Sequence, residues 1–308
     1  MANRLFYPTG VRPLLVEETA RRRRVEARVI EVLESSGFAE VIVPIIDYAE
    51  PYAGLEPSAD ARQTYRFVDR EGELISIRSD FTPTVARALA PSLRSSELPL
   101  RVFYRGDVIR CEATRLGAGR EMFQIGAELI GDPDIEAEVT MMRLAADLLR
   151  ELGIEPLLVY SDLSLLESLV IAAGTAEENR SAVRTALVSK RSAALDEAGV
   201  ALPAEVVTLV ENLAAGRATL ADFASFEATA TAAGRLQAIA AALDPRTFVL
   251  NLDDFDDSSG YYTGVRFRLF GKDSRVAVAR GGRYDTLYER FGTPAPAFGF
   301  TITIDDLD

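Results

Sequence analysis

Gln124 and Glu128 stand four positions apart in a stretch whose other residues are mostly apolar. Because side chains alternate across a β-strand, both fall on one face, together with Gly126 and Ile130. An amide and a carboxylate on a buried face are costly unless they meet polar partners. The face is therefore either solvated or closed over polar groups, and the spacing alone favours a solvated face.

A β-hairpin is predicted to carry these two residues, because two segments with strand-like alternation flank a polar loop. The first strand begins at Arg101, the loop spans residues 113–119 with Arg115 inside it, and the return strand is Met122–Ile130. The expected faces are Val102, Tyr104 and Val108 against Phe103, Arg105 and Asp107 in the first strand, and Phe123, Ile125, Ala127 and Leu129 against the polar pair in the second.

Missing residue types exclude several kinds of site. The 308 residues include no histidine and one cysteine, Cys111, so a Ser-His-Asp or Cys-His nucleophile is excluded and a zinc site is not expected. A net charge of −13 argues against broad nucleic-acid binding, which depends on neutralising phosphates. The single cysteine fits a reducing compartment, and the sequence shows neither a signal peptide nor an apolar run near 20 residues. We expect a soluble cytoplasmic protein without a metal or cofactor.

The first long helix is predicted over residues 11–37, where apolar residues recur at helical spacing. Arg21–Arg24 lie inside it. These arginines either contact phosphate or form a solvated face that pairs with Glu17, Glu18 and Glu26, and the second interpretation is favoured. A strand with a buried apolar run follows over Phe38–Ile46, and Pro44 within it indicates an edge or an interface.

The rest of the chain alternates between strand and helix patterns. The predicted order is strands at 64–68 and 73–78, a helix from Asp80 to Leu93, the hairpin, a helix ending near Leu152, a strand at Leu157–Tyr160, Ala-rich helices over 163–243, strands at Phe248–Leu252, Val265–Phe270 and 275–279, a helix at Thr286–Phe291 and a final strand at Phe298–Ile304.

Two further features have open interpretations. Gly281 and Gly282 allow the backbone to approach either a ligand or a neighbouring strand. The acidic loop with Asp253, Asp254 and residues 256–257 either binds a hard cation or forms a solvated turn. The solvated turn is favoured because the spacing of an EF-hand is absent.

Several ordered motifs resemble a known family. The segments FYRGDVIRCE, GREMFQIGAELIG, GDPDIEAEV, SGYYTGVRF, ARGGRYDTL and PAFGFTI follow the order found in the catalytic core of class II histidyl-tRNA synthetases. They resemble still more the shorter paralogues of these enzymes, the regulatory subunits of ATP phosphoribosyltransferase. The resemblance covers essentially the whole chain.

The resemblance implies an α+β fold, in which a six-stranded antiparallel β-sheet like that of the class II synthetase catalytic core is flanked by helices. The synthetase-like core is expected in two parts, residues 1–162 and 246–308, with a helical insertion at 163–245. Dimerisation is expected through the first helix and the strand that ends near Pro44.

The resemblance also implies a pocket for free histidine. The positions that match the family's pocket are Asp80, Thr82, Arg110, Glu112, Gln124, Glu128, Tyr261 and Tyr262. Asp80 stands where the family has Glu, so its carboxylate reaches about one methylene less. The same resemblance assigns Asp80 and Thr82 to the ligand's α-amino group, the two tyrosines to its imidazole, and Arg110 to a carboxylate or phosphate.

Departures from the synthetase pattern concern ATP and tRNA. The family's ATP-clamping arginine falls on Asp306, and the arginine that assists adenylate formation falls on Asp257. A carboxylate beside triphosphate turns attraction into repulsion. The sequence ends at Asp308, so an anticodon-binding domain is not expected.

We therefore expect a non-catalytic regulatory subunit that pairs with a short-form catalytic ATP phosphoribosyltransferase, dimerises with itself and binds histidine as an effector. No catalytic residue, tRNA contact or membrane contact is expected. The partner enzyme joins ATP to phosphoribosyl pyrophosphate in the first step of histidine biosynthesis. Two alternatives stay open: a histidine-activating ligase that forms an aminoacyl adenylate, and a scaffold whose pocket is vestigial.

Overall fold

The computed structural model of the chain describes residues 7–55, 64–93, 98–111, 119–172, 177, 180–189, 203–255 and 260–307. The helices in these ranges are α1 (Val16–Ser35), α2 (Thr82–Leu89), α3 (Ile135–Glu151), α4 (Leu163–Ala172), α5 (Arg180–Ser189), α6 (Ala204–Ala214), α7 (Leu220–Ala224) and α8 (Glu227–Ala242). The strands are β1 (Ala39–Glu40), β2 (Ile46–Tyr48), β3 (Arg66–Val68), β4 (Leu74–Ile77), β5 (Leu100–Ile109), β6 (Glu121–Ile130), β7 (Pro156–Asp162), β8 (Phe248–Leu250), β9 (Val265–Gly271), β10 (Ala277–Arg283) and β11 (Ala297–Thr303).

A large mixed sheet forms the centre of the fold, with strand order β1-β5-β6-β11-β10-β9-β7-β8. Its six central strands are antiparallel to their neighbours, as the resemblance implied. The short strands β1 and β8 add parallel pairs at the two edges, so the sheet has eight strands rather than six. The expected α+β fold is confirmed, with this extension.

The predicted hairpin is present as β5 and β6, which pair from Leu100–Ile130 to Ile109–Glu121. Phe123, Ile125, Ala127 and Leu129 pack into the core shared with α1 and α3, as predicted. The opposite face, with Val102 and Tyr104, joins a second core under α2. Gly126 is required there, because a Cβ at this position would lie 2.3 Å from the hydroxyl of Tyr104.

Helices α4 to α8 lie between β7 and β8, where the Ala-rich pattern predicted helices. We call them the helical arm. Buried residues of the arm, such as Leu166 and Leu236, share one apolar core with Leu148 of α3. The division of the chain at residues 163 and 245 therefore stays a prediction.

Among the described residues, each helix is too short or too polar to cross a lipid bilayer.

The prediction of a continuous buried strand over Phe38–Ile46 is wrong. The chain instead forms β1, leaves the sheet around Pro44 and re-enters as β2 of a small three-stranded sheet ordered β2-β4-β3. Ile42 is 92% exposed and Ile46 is 49% exposed, because proline cannot donate a ladder hydrogen bond and the main sheet ends here.

The predicted helix at Thr286–Phe291 is also wrong. Only a 3-10 turn over Glu289–Phe291 is formed. Gly292 ends it with a φ of 103°, and its amide donates to the carbonyl of Glu289 at 2.9 Å. The burial of Leu287 and Tyr288 under α2 holds this segment close to the sheet.

Candidate functional site

A cavity of about 470 Å³ lies between the small sheet, the start of α2 and the central strands β6, β10 and β11. Six of the eight residues assigned to the histidine pocket line it: Asp80, Thr82, Arg110, Gln124, Tyr261 and Tyr262. Glu128 is fully buried and connects to the cavity through Thr82 and Tyr284, both of which line it. Glu112 lies outside the described residues. The structure thus brings together seven positions that are far apart in the sequence.

Asp80 lies where the chain enters α2, and it joins this helix to the loop that carries the tyrosine pair. Its Oδ1 accepts a hydrogen bond from the amide of Thr82 at 3.3 Å, and its Oδ2 accepts one from the hydroxyl of Tyr261 at 2.9 Å. Loss of water around Asp80 raises the pKa of its carboxyl, although the Tyr261 hydrogen bond and the nearby Arg110 act in the opposite direction. The helix predicted from Asp80 begins at Thr82, and Phe81 is its N-cap.

Glu128 is a fully buried carboxyl group beside the cavity. Thr82 Oγ1 donates to its Oε1 at 2.9 Å, and the hydroxyl of Tyr284 donates to its Oε2. Burial, together with a smaller effect of the neighbouring carboxyl of Asp80, raises the pKa of Glu128 to about 8. Hydroxyl donors reduce this shift but do not cancel the loss of hydration.

The solvated face that spacing alone favoured is wrong. Gln124 is 8% exposed and Glu128 is 0% exposed. Gln124 Nε2 donates to Thr303 Oγ1 of the neighbouring strand β11 at 3.4 Å, and the Glu128 side chain lies against Gly299 of the same strand. Helix α2 packs on this face of the sheet. The polar partners that a buried face requires come from elements distant in the sequence: Thr303 of β11 for Gln124, and Thr82 of α2 and Tyr284 after β10 for Glu128.

Sequence reasoning missed three residues of the site. Tyr284 stacks edge-on against Tyr261, with ring centres 5.7 Å apart, and holds Glu128. Tyr104 and Thr301 share a 2.7 Å hydroxyl–hydroxyl hydrogen bond in the same wall. For Tyr284 the sequence did contain a signal, the ARGGRYD motif. Its two glycines allow neighbouring strands to pack closely, so a tyrosine just after them is well placed to contact a neighbouring strand.

The two glycines of that motif serve strand packing. A Cβ on Gly281 would lie 2.4 Å from the carbonyl of Gly299, and one on Gly282 would lie 2.7 Å from the carbonyl of Val265. Of the two interpretations given by the sequence, the approach to a neighbouring strand is confirmed.

Cationic side chains surround the outer part of the cavity. Its lining includes six arginines and three aspartates: Arg66, Arg78, Arg110, Arg268, Arg275 and Arg280, with Asp47, Asp80 and Asp306. Arg78 has a structural role, because its guanidinium lies 3.7 Å from the ring centre of Phe81 and donates to the carbonyl of Asp107 at 2.8 Å. The cavity can therefore hold a ligand with a cationic group at its acidic inner wall and an anionic group outside.

Asp306, the position to which the resemblance assigns the synthetase arginine, lies in this cavity lining. The preceding residue anchors this C-terminal turn: Asp305 Oδ2 accepts from the amide of Phe123 at 2.8 Å, and Asp305 Oδ1 pairs with Arg22 of α1.

For the arginines at 21–24, the predicted pairing with Glu26 is confirmed for Arg23, whereas Arg22 pairs with the C-terminal turn instead.

Asp254 of the acidic loop pairs with Arg266 and Arg268, so it is not simply solvated. Residues 256–257, which include the second reversed position, lie outside the described residues. Within the ranges that the structure describes, no group of three or more cysteine, aspartate or glutamate side chains is arranged to hold a metal ion.

The raised pKa of Glu128 predicts a pH-dependent stability. The folded chain keeps this proton up to about pH 8, whereas the unfolded chain releases it near its usual pKa of 4.5. The native state therefore binds more protons within this window, and the free energy of unfolding falls as the pH rises through it. We expect Glu128→Gln, which cannot titrate, to flatten this decline when urea unfolding is measured between about pH 5 and pH 8. Parallel pH profiles of the two proteins would contradict the assignment.

Comparison with protein families gives one match over nearly the whole chain. The sequence model described as histidyl-tRNA synthetase matches residues 10–307. Among curated proteins, an ATP phosphoribosyltransferase regulatory subunit from Moorella thermoacetica is 32% identical over 319 residues, which cover 98% of this chain and 81% of that protein. One of the same name from Geobacter sulfurreducens is 33% identical over 318 residues, covering 96% of this chain and 71% of that protein.

Solved structures with a similar fold include proteins of the same two kinds. A Bacillus halodurans protein described as an ATP phosphoribosyltransferase regulatory subunit/histidyl-tRNA synthetase superposes with a TM-score of 0.84 at 25% identity, covering 99% of this chain and 82% of that one. Apo histidyl-tRNA synthetase from S. aureus shares the fold, with a TM-score of 0.68 at 18% identity over 98% of this chain and 72% of that one.

Proposed function

Because this chain belongs to the histidyl-tRNA synthetase family and, within it, to the ATP phosphoribosyltransferase regulatory subunits, we propose that it regulates a separate catalytic ATP phosphoribosyltransferase subunit. The short-form partner carries out the chemistry, which joins ATP to phosphoribosyl pyrophosphate in the first step of histidine biosynthesis. This chain sets the partner's activity and transmits feedback inhibition by histidine in the cytoplasm.

The observation that carries the histidine proposal is the chemistry of the inner cavity wall. Two carboxyl groups with raised pKa values, Asp80 and Glu128, stand at this wall, and hydroxyl groups supply the side-chain hydrogen bonds that Glu128 receives from described residues. A ligand with an ammonium or imidazolium group supplies the positive charge that lowers the cost of ionising them. Arg110 on the same cavity suits the ligand's carboxylate.

The cavity also has suitable dimensions. About 470 Å³ lies within the range of roughly 300–1,000 Å³ that is typical of small-molecule pockets. The ring pair Tyr261–Tyr262, at 5.1 Å between centres, offers flat apolar surface for an imidazole beside polar hydroxyls. An effector in this pocket alters the partner's activity to the extent that it binds the active and inhibited assemblies unequally.

Asp306 argues against the ligase alternative. A carboxylate at the position that clamps ATP in the synthetases repels a triphosphate in a partly dry cavity. The scaffold alternative is decided by histidine binding itself, because a buried Glu128 needs its hydrogen-bond partners with or without a ligand.

Calorimetry tests this proposal directly. Histidine titrated into the purified chain is expected to give one saturable event, and the chain is expected to show no histidine-dependent exchange of pyrophosphate into ATP. Histidinol, which lacks the carboxylate, is expected to bind more weakly if Arg110 contacts that group. Robust ATP–pyrophosphate exchange would establish the ligase instead, and an absence of binding with and without the catalytic subunit would establish the scaffold.

Self-association is the second part of the proposal. Ile46 and Tyr48 of β2 share an exposed face of the small sheet with Phe67 of β3, because Tyr48 and Phe67 both pair with Ile75 of β4. Ile42 just before this sheet is 92% exposed. Contiguous exposed apolar surface of this kind is typical of interaction sites, and a second copy of the chain is the occupant that we propose.

We expect Ile42→Asp combined with Tyr48→Asp to convert a homodimer into monomers. Burying two carboxylates in an apolar interface costs several kcal/mol, so dissociation should become at least tenfold easier. Sedimentation velocity at micromolar concentration measures this. Val249→Asp at the opposite edge of the main sheet, where the side chain is 39% exposed, is the matched control. Unchanged sedimentation of the double variant would contradict the proposed interface.

A further inference from the structure

A buried ion cluster connects the helical arm to the strand that leads into the cavity. Glu138 of α3 is 0% exposed, and its Oε1 accepts hydrogen bonds from Arg283 of β10 and from Arg235 of α8. Arg283 is 3% exposed, so this is a core ion pair rather than a surface contact. One carboxylate oxygen thereby links the central sheet to the last helix of the arm.

Arg283 directly precedes Tyr284, the tyrosine that holds Glu128 at the cavity wall. Its backbone carbonyl accepts a hydrogen bond from the amide of Thr263 at 2.8 Å, directly after the pair Tyr261–Tyr262. Its side chain also contacts Asp285 Oδ1 at 3.1 Å. Both tyrosine-bearing segments of the pocket are therefore attached to the same arginine.

Asp162 completes the cluster at the point where the arm begins. It is 1% exposed, and its Oδ1 accepts from the amide of Ser164 at 2.8 Å. Within the described residues its Oδ2 has no hydrogen-bond partner, and the same is true of Glu138 Oε2. Burial raises the pKa of Asp162 to about 6, and the charge of Arg235 acts in the opposite direction. Glu138 thus accepts from two guanidinium groups, and the one that belongs to the arm, Arg235, also acts on the charge of Asp162.

We propose that Arg235 is a positioning residue for the ligand pocket: through its shared contact on Glu138 it fixes Arg283, and through Arg283 it fixes Tyr284 and the loop of Tyr261 and Tyr262. Displacement of the arm removes Arg235 from Glu138 and Asp162 and leaves Arg283 as the remaining described arginine that contacts Glu138. Arg283 then reorients, and the tyrosines follow because backbone bonds connect them. In this way the arm and the pocket influence each other reciprocally.

The readout that uses histidine rests on the proposed function, whereas the coupling itself does not. Residues that act through a connected network typically change affinity by about two- to thirtyfold. For Arg235→Met we expect histidine binding to weaken about fivefold by calorimetry. We also expect hydrogen exchange in residues 260–264 and 283–288 to become faster without any ligand. The amide of Tyr284 donates to the carbonyl of Ala297 at the start of β11, so its exchange rate reports directly on the end of β10.

Arg184→Gln in α5 is the matched control. This arginine forms an exposed ion pair with Glu167 inside the same arm, with side chains 46% and 47% exposed, so its loss should change neither quantity. Arg235→Lys keeps the cation and is expected to restore most of the protection, which a purely steric role of the side chain would not predict. The lysine variant also keeps the test informative if the methionine variant fails to fold.

Equal exchange rates in residues 283–288 for Arg235→Met and Arg184→Gln would overturn the coupling, whatever the ligand. Faster exchange together with an absence of histidine binding in the parent protein would support the coupling and refute the proposed ligand. Faster exchange with unchanged histidine affinity would refute the role of Arg235 in the pocket.

Discussion

Replacing Gly299 by alanine is expected to lower the free energy of unfolding by about 3 kcal/mol and to abolish histidine binding. A Cβ at this position would lie 1.5 Å from Glu128 Oε2 and 2.7 Å from the hydroxyl of Tyr284. Glu128 cannot move away freely, because it is fully buried and held by two hydroxyl groups. The clash therefore breaks the hydrogen bonds at the cavity wall or separates β11 from β6.

Urea unfolding and calorimetry with histidine measure the two effects of Gly299→Ala. Gly234→Ala is the matched control, because Gly234 lies in α8 and a Cβ there would meet nothing within 4 Å. This control should be neutral or stabilising by up to about 1 kcal/mol, since alanine favours helix more than glycine does. Equal stability of the two variants would contradict the close packing of β11 on Glu128.

Glu128→Ala is expected to weaken histidine binding about a hundredfold, or ~3 kcal/mol. The change removes a negative charge directly behind the cavity wall and leaves the hydroxyls of Thr82 and Tyr284, which line the cavity, without their acceptor. Glu128→Gln keeps the shape and an oxygen acceptor but not the charge, so we expect an intermediate loss.

Calorimetry at pH 8 measures this difference, and circular dichroism checks that the variants fold. Glu121→Ala, an exposed glutamate at the start of the same strand, is the matched control and should bind as the parent does. If Glu128→Ala and Gln124→Ala both leave binding and feedback unchanged, histidine acts elsewhere, for example where the two kinds of subunit meet.

The hairpin shows how far the sequence determines local structure. The two faces of β5 and β6 follow directly from the alternation of side chains, and the structure confirms every apolar position assigned to them. The sequence could not show that the polar face is buried. That depends on Gly299 and Tyr284, which lie more than 150 positions away and reach Glu128 only after the sheet has formed.

Resemblance selected residues that lie close together in the fold: Asp80, Thr82 and the tyrosine pair line one cavity. Their role in binding histidine stays a prediction. Spacing alone could not find Arg235, because its contact with Glu138 joins a helix of the arm to α3 across 97 positions. Contacts between two elements depend on how their faces pack, and local periodicity carries no information about that.

The prediction for the segment after β1 was wrong for a different reason. Its Val and Ile residues have strong strand propensity, yet Pro44 and the change from the large sheet to the small one leave Ile42 and Ile46 exposed. Hydrophobic pattern predicts that a residue will be buried somewhere. It does not distinguish burial inside one chain from burial against a second copy.

The most direct test of the regulatory role is reconstitution with the proposed partner, a catalytic ATP phosphoribosyltransferase subunit. ATP and phosphoribosyl pyrophosphate consumption is measured for the catalytic subunit alone, with this chain, and with this chain and histidine. We expect the chain to raise the rate, histidine to suppress that increase, and Glu128→Ala to remove the suppression while leaving the increase. A rate that is the same with and without this chain would contradict the account.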